Sequence, residues 1–178
     1  REDVTVVCFT RNHSVTQLPD LMQGVDFVFH LAGVNRPLDP LEFTTGNAEL
    51  TLVLCQVVSD VAQTTGKKAP IVFTSSIQAG SDNPYGNSKL VAEQALQGAA
   101  LRHGIPIHIF RLPNVFGKWC KPDYNSVVAT FCHNIERGLP IQVNDPLVSV
   151  RLVYVDDVIA RFVQLLEGAD AAVGPDGF

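Results

Sequence analysis

The stretch "APIVFTSSIQAGSDNPYGNSKLVAEQALQGAALRHGIPIHIF", residues 69–110, decides the architecture of this chain. It opens with "APIVFTSS" (69–76), a run too short and too evenly apolar for an amphipathic helix, which suits a strand covered on both faces. A segment of helical period follows, "NPYGNSKLVAEQALQGAALRHG" (83–104), opened by Pro84 and ended by a glycine placed to cap its C-terminus. A second apolar run, "IPIHIFRL" (105–112), comes next. Strand, helix and strand in that order make a βαβ unit with parallel strands.

The pattern extends outward. "VTVVCF" (4–9), "VDFVFHLAG" (25–33) and "LPIQV" (139–143) are further predicted strands, and "FTTGNAELTLVLCQVVSDVAQTTG" (43–66) is a further predicted helix. The expected fold is therefore α/β, a doubly wound parallel sheet. Such sheets bind ligands beyond the carboxyl ends of their strands, where "HLAGVNRP", "TSSIQAG" and "RLPNVFGKW" fall. A dinucleotide-binding sheet usually begins with a strand, G-x-x-G-x-x-G and a helix, because those glycines let the backbone approach a pyrophosphate. That element is missing, so the expectation is a domain fragment that starts at its second strand and lacks the glycine-rich loop.

Bulk properties narrow the function. With 178 residues, 46% hydrophobic and 17% charged, the chain reads as one globular domain, 1–178. A net charge of -5 argues against nucleic acid, whose phosphates call for clustered cations. Cys8, Cys55, Cys120 and Cys132 lack metal-ligand spacing and sit in apolar or helical runs. They read as reduced core thiols, with no metal expected. No apolar run reaches the roughly 18 residues of a membrane span, and no signal-peptide pattern opens the chain, so a cytoplasmic address is expected.

The chemistry lies inside the opening stretch. Tyr85 and Lys89, four residues apart on the helix, share one face. An ammonium near a phenol favours the phenolate and lowers a phenol pKa from about 10, which readies it to exchange a proton with a carbonyl or alcohol. A hydroxyl from the preceding strand end, Ser75 or Ser76, completes a donor pair on a substrate oxygen. Y-x-x-x-K also occurs by chance, as an aromatic packed under a lysine stem. A strand ending "VFTSS" before it, a tyrosine at a helix start and an upstream "HLAG" favour the chemical reading.

These residues resemble the extended short-chain dehydrogenase/reductases, a Rossmann-type family, over nearly the whole chain: "VDFVFHLAG", "VFTSS", "YGNSK", "RLPNVFG" and "LVYVDDV" look like its successive signatures. The resemblance implies Ser76 as catalytic serine, Tyr85 as general acid, and Lys89 as the ammonium that favours the phenolate and grips the nicotinamide ribose. It implies NADPH, with NAD as the alternative. Arg11 would face the adenosine 2'-phosphate, although a surface arginine is an equal reading. Leu31, Ala32 and Gly33 would line the cofactor, with His30 read as a strand-end ring and Asn47 as a support for local backbone. Pro113 and Val115 would lie beside the nicotinamide.

"AGVNRP" (32–37), "NPYGNSK" (83–89), "FGKWCKPDYNSVVATFCHNI" (116–135) and "LPIQVNDP" (139–146) are similar to a narrower group, the CapF/WbjC-type capsular polysaccharide reductases. That similarity implies NADPH-dependent reduction of the 4-keto group of a UDP-2-acetamido-2,6-dideoxy-hexos-4-ulose, on the route to UDP-N-acetyl-L-fucosamine. It also implies a homodimer and a UDP-sugar substrate. Asn35, Arg36, Asn114, Lys118 and His133 are the candidate substrate contacts, and about 113–178 would include part of a small C-terminal substrate-binding lobe, with no cupin domain. Lys121 and Arg137 could add charge, and Trp119 or Tyr124 could stack on uracil or simply pack. Generic members carry a phosphate-binding arginine where this chain has Val150, with Arg151 one residue later. The rivals are another nucleotide-sugar epimerase or dehydratase of the same family, or a non-catalytic fragment.

Overall fold

The computed structural model describes residues 3–169. The chain divides into two units between Arg111 and Leu112. In the first, a 3-10 turn (Val15–Gln17) and the short helix α1 (Leu18–Leu21) precede β1 (Val28–His30) and α2 (Leu41–Phe43). A π-helical turn (Thr44–Glu49), α3 (Leu50–Thr65), β2 (Ile71–Ser76), α4 (Pro84–His103) and β3 (Ile107–Leu112) follow.

The predicted βαβ unit forms as β2, α4 and β3. The three-stranded sheet runs β1-β2-β3, and β1 pairs parallel to β2 with Val28 opposite Ile71 and His30 opposite Phe73. As the central strand β2 is covered on both faces, which is why its sequence is apolar without alternation. Ile71, Val72 and Phe73 are buried. On α4, Ala92, Leu96 and Ala99 recur at helical spacing and complete the core with Leu54, Val58 and Ile105. Asn83 caps α4 by accepting from the Gly86 N–H at 2.8 Å, with Pro84 pre-set in the first turn. The predicted glycine caps are realised: Gly104 (φ 64) donates to the Ala100 carbonyl and Gly66 (φ 75) to that of Ala62.

Three expectations are corrected. Residues 4–9 form no strand, and Val6 and Val7 are 75% and 53% exposed. A strand exists only where a neighbour takes its backbone hydrogen bonds, and among the described residues none pairs with this run. Residues 139–143 likewise form no strand, and Leu139, Ile141 and Val143 are exposed. Of the four cysteines only Cys55 is a core thiol, with burial pushing its pKa up to about 11. Cys8 is exposed because its run forms no strand, Cys132 is exposed on a helix, and Cys120 is half-buried. The predicted helix 43–66 is present but enters through the π turn, where a Cβ on Gly46 would come within 2.4 Å of Val34 Cγ2.

The second unit pairs β4 (Asn114–Phe116) in parallel with β5 (Leu152–Tyr154). Between them lies α5 (Val127–Glu136), capped by the Ser126 hydroxyl, and α6 (Val155–Leu166) follows β5 directly. Gly117 (φ 127) allows the chain to leave β4 against Tyr154, since a Cβ there would lie 2.6 Å from the ring. No described helix is long and apolar enough to cross a membrane.

Candidate active site

The two serines have different surroundings, because successive strand side chains point to opposite faces. Ser75 Oγ donates to Glu93 Oε1 on α4 at 2.5 Å. Arg111, on β3, grips the same carboxylate through Nε (3.0 and 3.2 Å) and Nη2 (2.6 Å). Ser75 is thus committed to the α4 side. Ser76 Oγ accepts from the Gln78 N–H at 3.2 Å, a role that leaves its own O–H proton for donation.

Tyr85 and Lys89 stand in the first two turns of α4. Gly86 lets that end of the helix seat on the preceding turn, since a Cβ there would meet the Gln78 carbonyl at 2.4 Å. The half-buried Tyr85 ring packs against Phe43, centroids 5.7 Å apart. Lys89 is buried, donates from Nζ to the Thr74 carbonyl at 2.9 Å and lies 4.9 Å over the Phe73 ring. Burial pulls its pKa down to about 8, against the opposing pull of the Glu93 carboxylate.

The end of β1 is tied to this helix through the π turn. Asn47, 2% exposed, bonds both the N–H and the carbonyl of Val34 and donates to Ser88 Oγ. Ser88 in turn donates to the Tyr85 carbonyl. One side chain therefore joins the loop after β1 to the turn that carries Tyr85 and Lys89, matching the supporting role expected of Asn47. Thr51 gives its proton to the Asn47 carbonyl at 2.6 Å, so the His30 Nε2–H must be the donor in the 2.8 Å bond to Thr51. Burial, then the Lys89 charge, lowers the His30 pKa to about 4. His30 is the satisfied, neutral strand-end ring that the sequence suggested.

Arg11, Leu31, Ala32 and Gly33 come together on one cleft of about 750 Å³, whose wall is continued by Thr10 and Thr45. This falls within the usual size of a small-molecule or cofactor site. A Cβ on Gly33 would lie 3.0 Å from Asn47 Oδ1 and 3.2 Å from Lys89 Nζ, so this edge of the cleft packs closely on both side chains. Asn35 and Arg36 are exposed on the loop that follows.

The remaining candidates belong to the second unit. Pro113 precedes β4, Asn114 is exposed on it and Val115 is half-buried. Lys118 Nζ is ion-paired with Asp156 at 3.0 Å. His133 is half-buried in the last turn of α5, and Arg137 pairs with Glu136. Trp119 is 99% exposed with φ 67, and Lys121 lies 5.8 Å over the Tyr124 ring. Sequence reasoning passed over Glu93 and Arg111. The available signal was the four-residue recurrence of Tyr85, Lys89 and Glu93.

The chain is 54% identical over 168 residues to the UDP-2-acetamido-2,6-beta-L-arabino-hexul-4-ose reductase of Pseudomonas aeruginosa, covering 94% of this chain and 44% of that protein. It superposes on the capsular polysaccharide assembling protein CapF of Staphylococcus aureus with a TM-score of 0.68 and 42% identity, over 88% of this chain and 40% of the other. It shares its fold with the UDP-glucuronic acid 4-epimerase of Bacillus cereus, solved with UDP-glucuronic acid and NAD, at a TM-score of 0.76 and 22% identity, over 89% of this chain and 55% of the other. The chain thus spans about half the length, or less, of these relatives. The match of residues 3–178 to the family profile, on a parallel Rossmann-type sheet, makes this chain a member of the NAD dependent epimerase/dehydratase family.

Proposed function

We propose that this chain carries the reductase chemistry of a nucleotide-sugar pathway: reduction of the 4-keto group of a UDP-2-acetamido-2,6-dideoxy-hexos-4-ulose with NADPH, in capsular or O-antigen precursor synthesis. The observation that carries the reading is a buried lysine ammonium on α4 that binds the Thr74 carbonyl near the end of β2, the strand that ends in Ser76, with Tyr85 one turn before it on the same helix. The 54% identity to a reductase named for such a sugar supports the substrate class.

The cleft beside β1 fits a dinucleotide. Its volume is adequate, Gly33 lies on its wall close to Lys89, and Arg11 brings a cation suited to a 2'-phosphate. Arg11, Leu31, Ala32, Gly33 and Lys89 would hold the cofactor, and Pro113 and Val115 are proposed as further contacts from the family resemblance. When bound, the reduced nicotinamide supplies the hydride.

The protein's own residues handle the proton and the charge. Tyr85 gives its phenolic proton to the substrate O4. Ser76 donates its O–H to the same oxygen as negative charge builds there, a stabilisation realised mainly in the transition state. Lys89 holds positive charge beside the phenol, so the phenolate left behind is met by an ammonium. Asn35, Arg36, Asn114, Lys118 and His133 are the proposed contacts to the sugar and diphosphate.

The test is NADPH oxidation by the purified protein, of verified intact mass, with a UDP-4-keto-6-deoxy-N-acetylhexosamine. Turnover to the 4-hydroxy sugar supports the reading. A folded protein that oxidises NADPH with none of these sugars defeats it.

A further inference from the structure

Glu93 is 1% exposed, an unusual setting for a carboxylate, and neither serine nor tyrosine chemistry as described above uses it. It lies on the core-facing stripe of α4, one turn beyond Lys89, which is one turn beyond Tyr85. Two strands hold it in place: Ser75 of β2 donates to one oxygen and Arg111 of β3 binds both. These bonds satisfy the carboxylate and fix it, as a buried charge requires. They also make the carboxylate an immobile charge in a region shielded from water.

Resting on the reductase reading, we propose that Glu93 is a positioning residue for the reaction: a fixed counter-charge, anchored by Ser75 and Arg111, that keeps the buried Lys89 ammonium protonated and so available to Tyr85. The two members of the ion pair are placed unequally. The Arg111 side chain is 51% exposed and the Glu93 side chain 2%. The carboxylate is thus the enclosed member of the pair, on the same helix as Lys89 and one turn beyond it.

The other groups around Lys89 do not substitute for it. From β1, His30 is held neutral by burial. β2 presents the Phe73 ring and the Thr74 carbonyl. The π turn presents Asn47, which with Lys89 flanks Gly33. From α4 itself come Tyr85 and Glu93, and from β3 Arg111. Burial draws the Lys89 pKa down to about 8, and Glu93 pulls it back up.

The experiment is a nuclear magnetic resonance titration of the lysine Cε signal of Lys89, assigned by its loss in Lys89→Met, in the intact protein. Glu93→Gln keeps the side-chain size and removes the charge. It should lower the proton affinity of Lys89 about tenfold and move the alkaline limb of kcat/KM to lower pH by the same factor. Glu93→Asp keeps the charge while disturbing the packing, and should stay within about twofold of the parent. A purely structural role predicts the reverse order, with Asp worse than Gln. An unmoved Lys89 titration in Glu93→Gln overturns the inference, as does a tenfold fall in a folded Glu93→Asp protein should the Gln variant not fold. The titration reads Lys89 whether or not NADPH is consumed. Shifted titration without turnover upholds the coupling and sinks the reductase reading; turnover with an unshifted titration does the opposite.

Discussion

In the first unit Asn47, Thr51, Ser75, Ser88, Lys89 and Glu93 are all buried, and every one of them is hydrogen-bonded. In the second, Ser126 is the buried polar residue among those described, while the ion pairs Lys118–Asp156 and Glu136–Arg137 are exposed. The enclosed apolar residues divide the same way, with Leu165 the buried one of the second unit among those described, although both units also expose apolar side chains, Leu38 and Leu101 in the first. Ile71, Val72, Phe73 and Leu96 are almost fully enclosed, whereas Leu147 and Trp119 are 92% and 99% exposed. A buried polar group persists only with its partners in place, so its position is fixed to the accuracy of the bonds around it. An exposed ion pair is screened and readily rearranged. The contrast makes the first unit the one whose buried polar side chains are fixed in place, as the proposed proton transfer requires. It leaves the second with a surface whose side chains can adapt to what they meet.

The largest expected effect tests that assignment directly. Tyr85→Phe removes one oxygen from the first unit and should reduce turnover by about 10²- to 10⁴-fold, the usual worth of a positioned acid. Cofactor affinity, measured by fluorescence titration, should stay within a few-fold. Equal rates for variant and parent would separate the buried network from the chemistry and break the comparison.

Packing provides the next test. Phe73→Ala empties a site with 1% exposure and should cost about 3–5 kcal/mol in urea unfolding. Leu147→Ala changes a side chain that is 92% exposed and should stay within about 0.5 kcal/mol. Similar losses at the two sites would mean that the second unit buries Leu147 in solution, and the contrast between the units would disappear.

Sequence patterns revealed the parts of this structure that depend on local periodicity. β2 and α4 could be read because an even apolar run and a stripe at helical spacing each carry their own evidence, and Asn83, Pro84 and Gly104 mark the ends of the helix. Residues 4–9 have the same apolar character, yet strandness depends on a partner that composition does not specify. That Ser75 is taken up by Glu93 while Ser76 is not depends on which face of β2 meets α4. Glu93 escaped notice because its meaning comes from Ser75 and Arg111, each 18 residues away in sequence and adjacent only after folding. The π turn that brings Asn47 to Val34 was invisible for the same reason.

The smallest effect sharpens the comparison by asking how firmly the first unit holds its polar interior. The folded protein keeps His30 neutral down to about pH 4, while an exposed histidine takes up its proton near 6.5. The unfolded chain therefore binds more protons across this window. The stability conferred by the neutral ring is complete above pH 6.5 and is lost as the pH falls towards 4. The full loss amounts to at most about 3.5 kcal/mol. His30→Gln retains a donor for Thr51 but cannot titrate, so its unfolding free energy should fall less steeply than the parent's over the same range. The carboxylates and the other histidines are common to both proteins and cancel in the difference. Parallel pH profiles would mean that the His30 ring takes its proton without disturbing Thr51 and Asn47, and that the link from β1 to the Tyr85 turn is looser than its bond lengths imply.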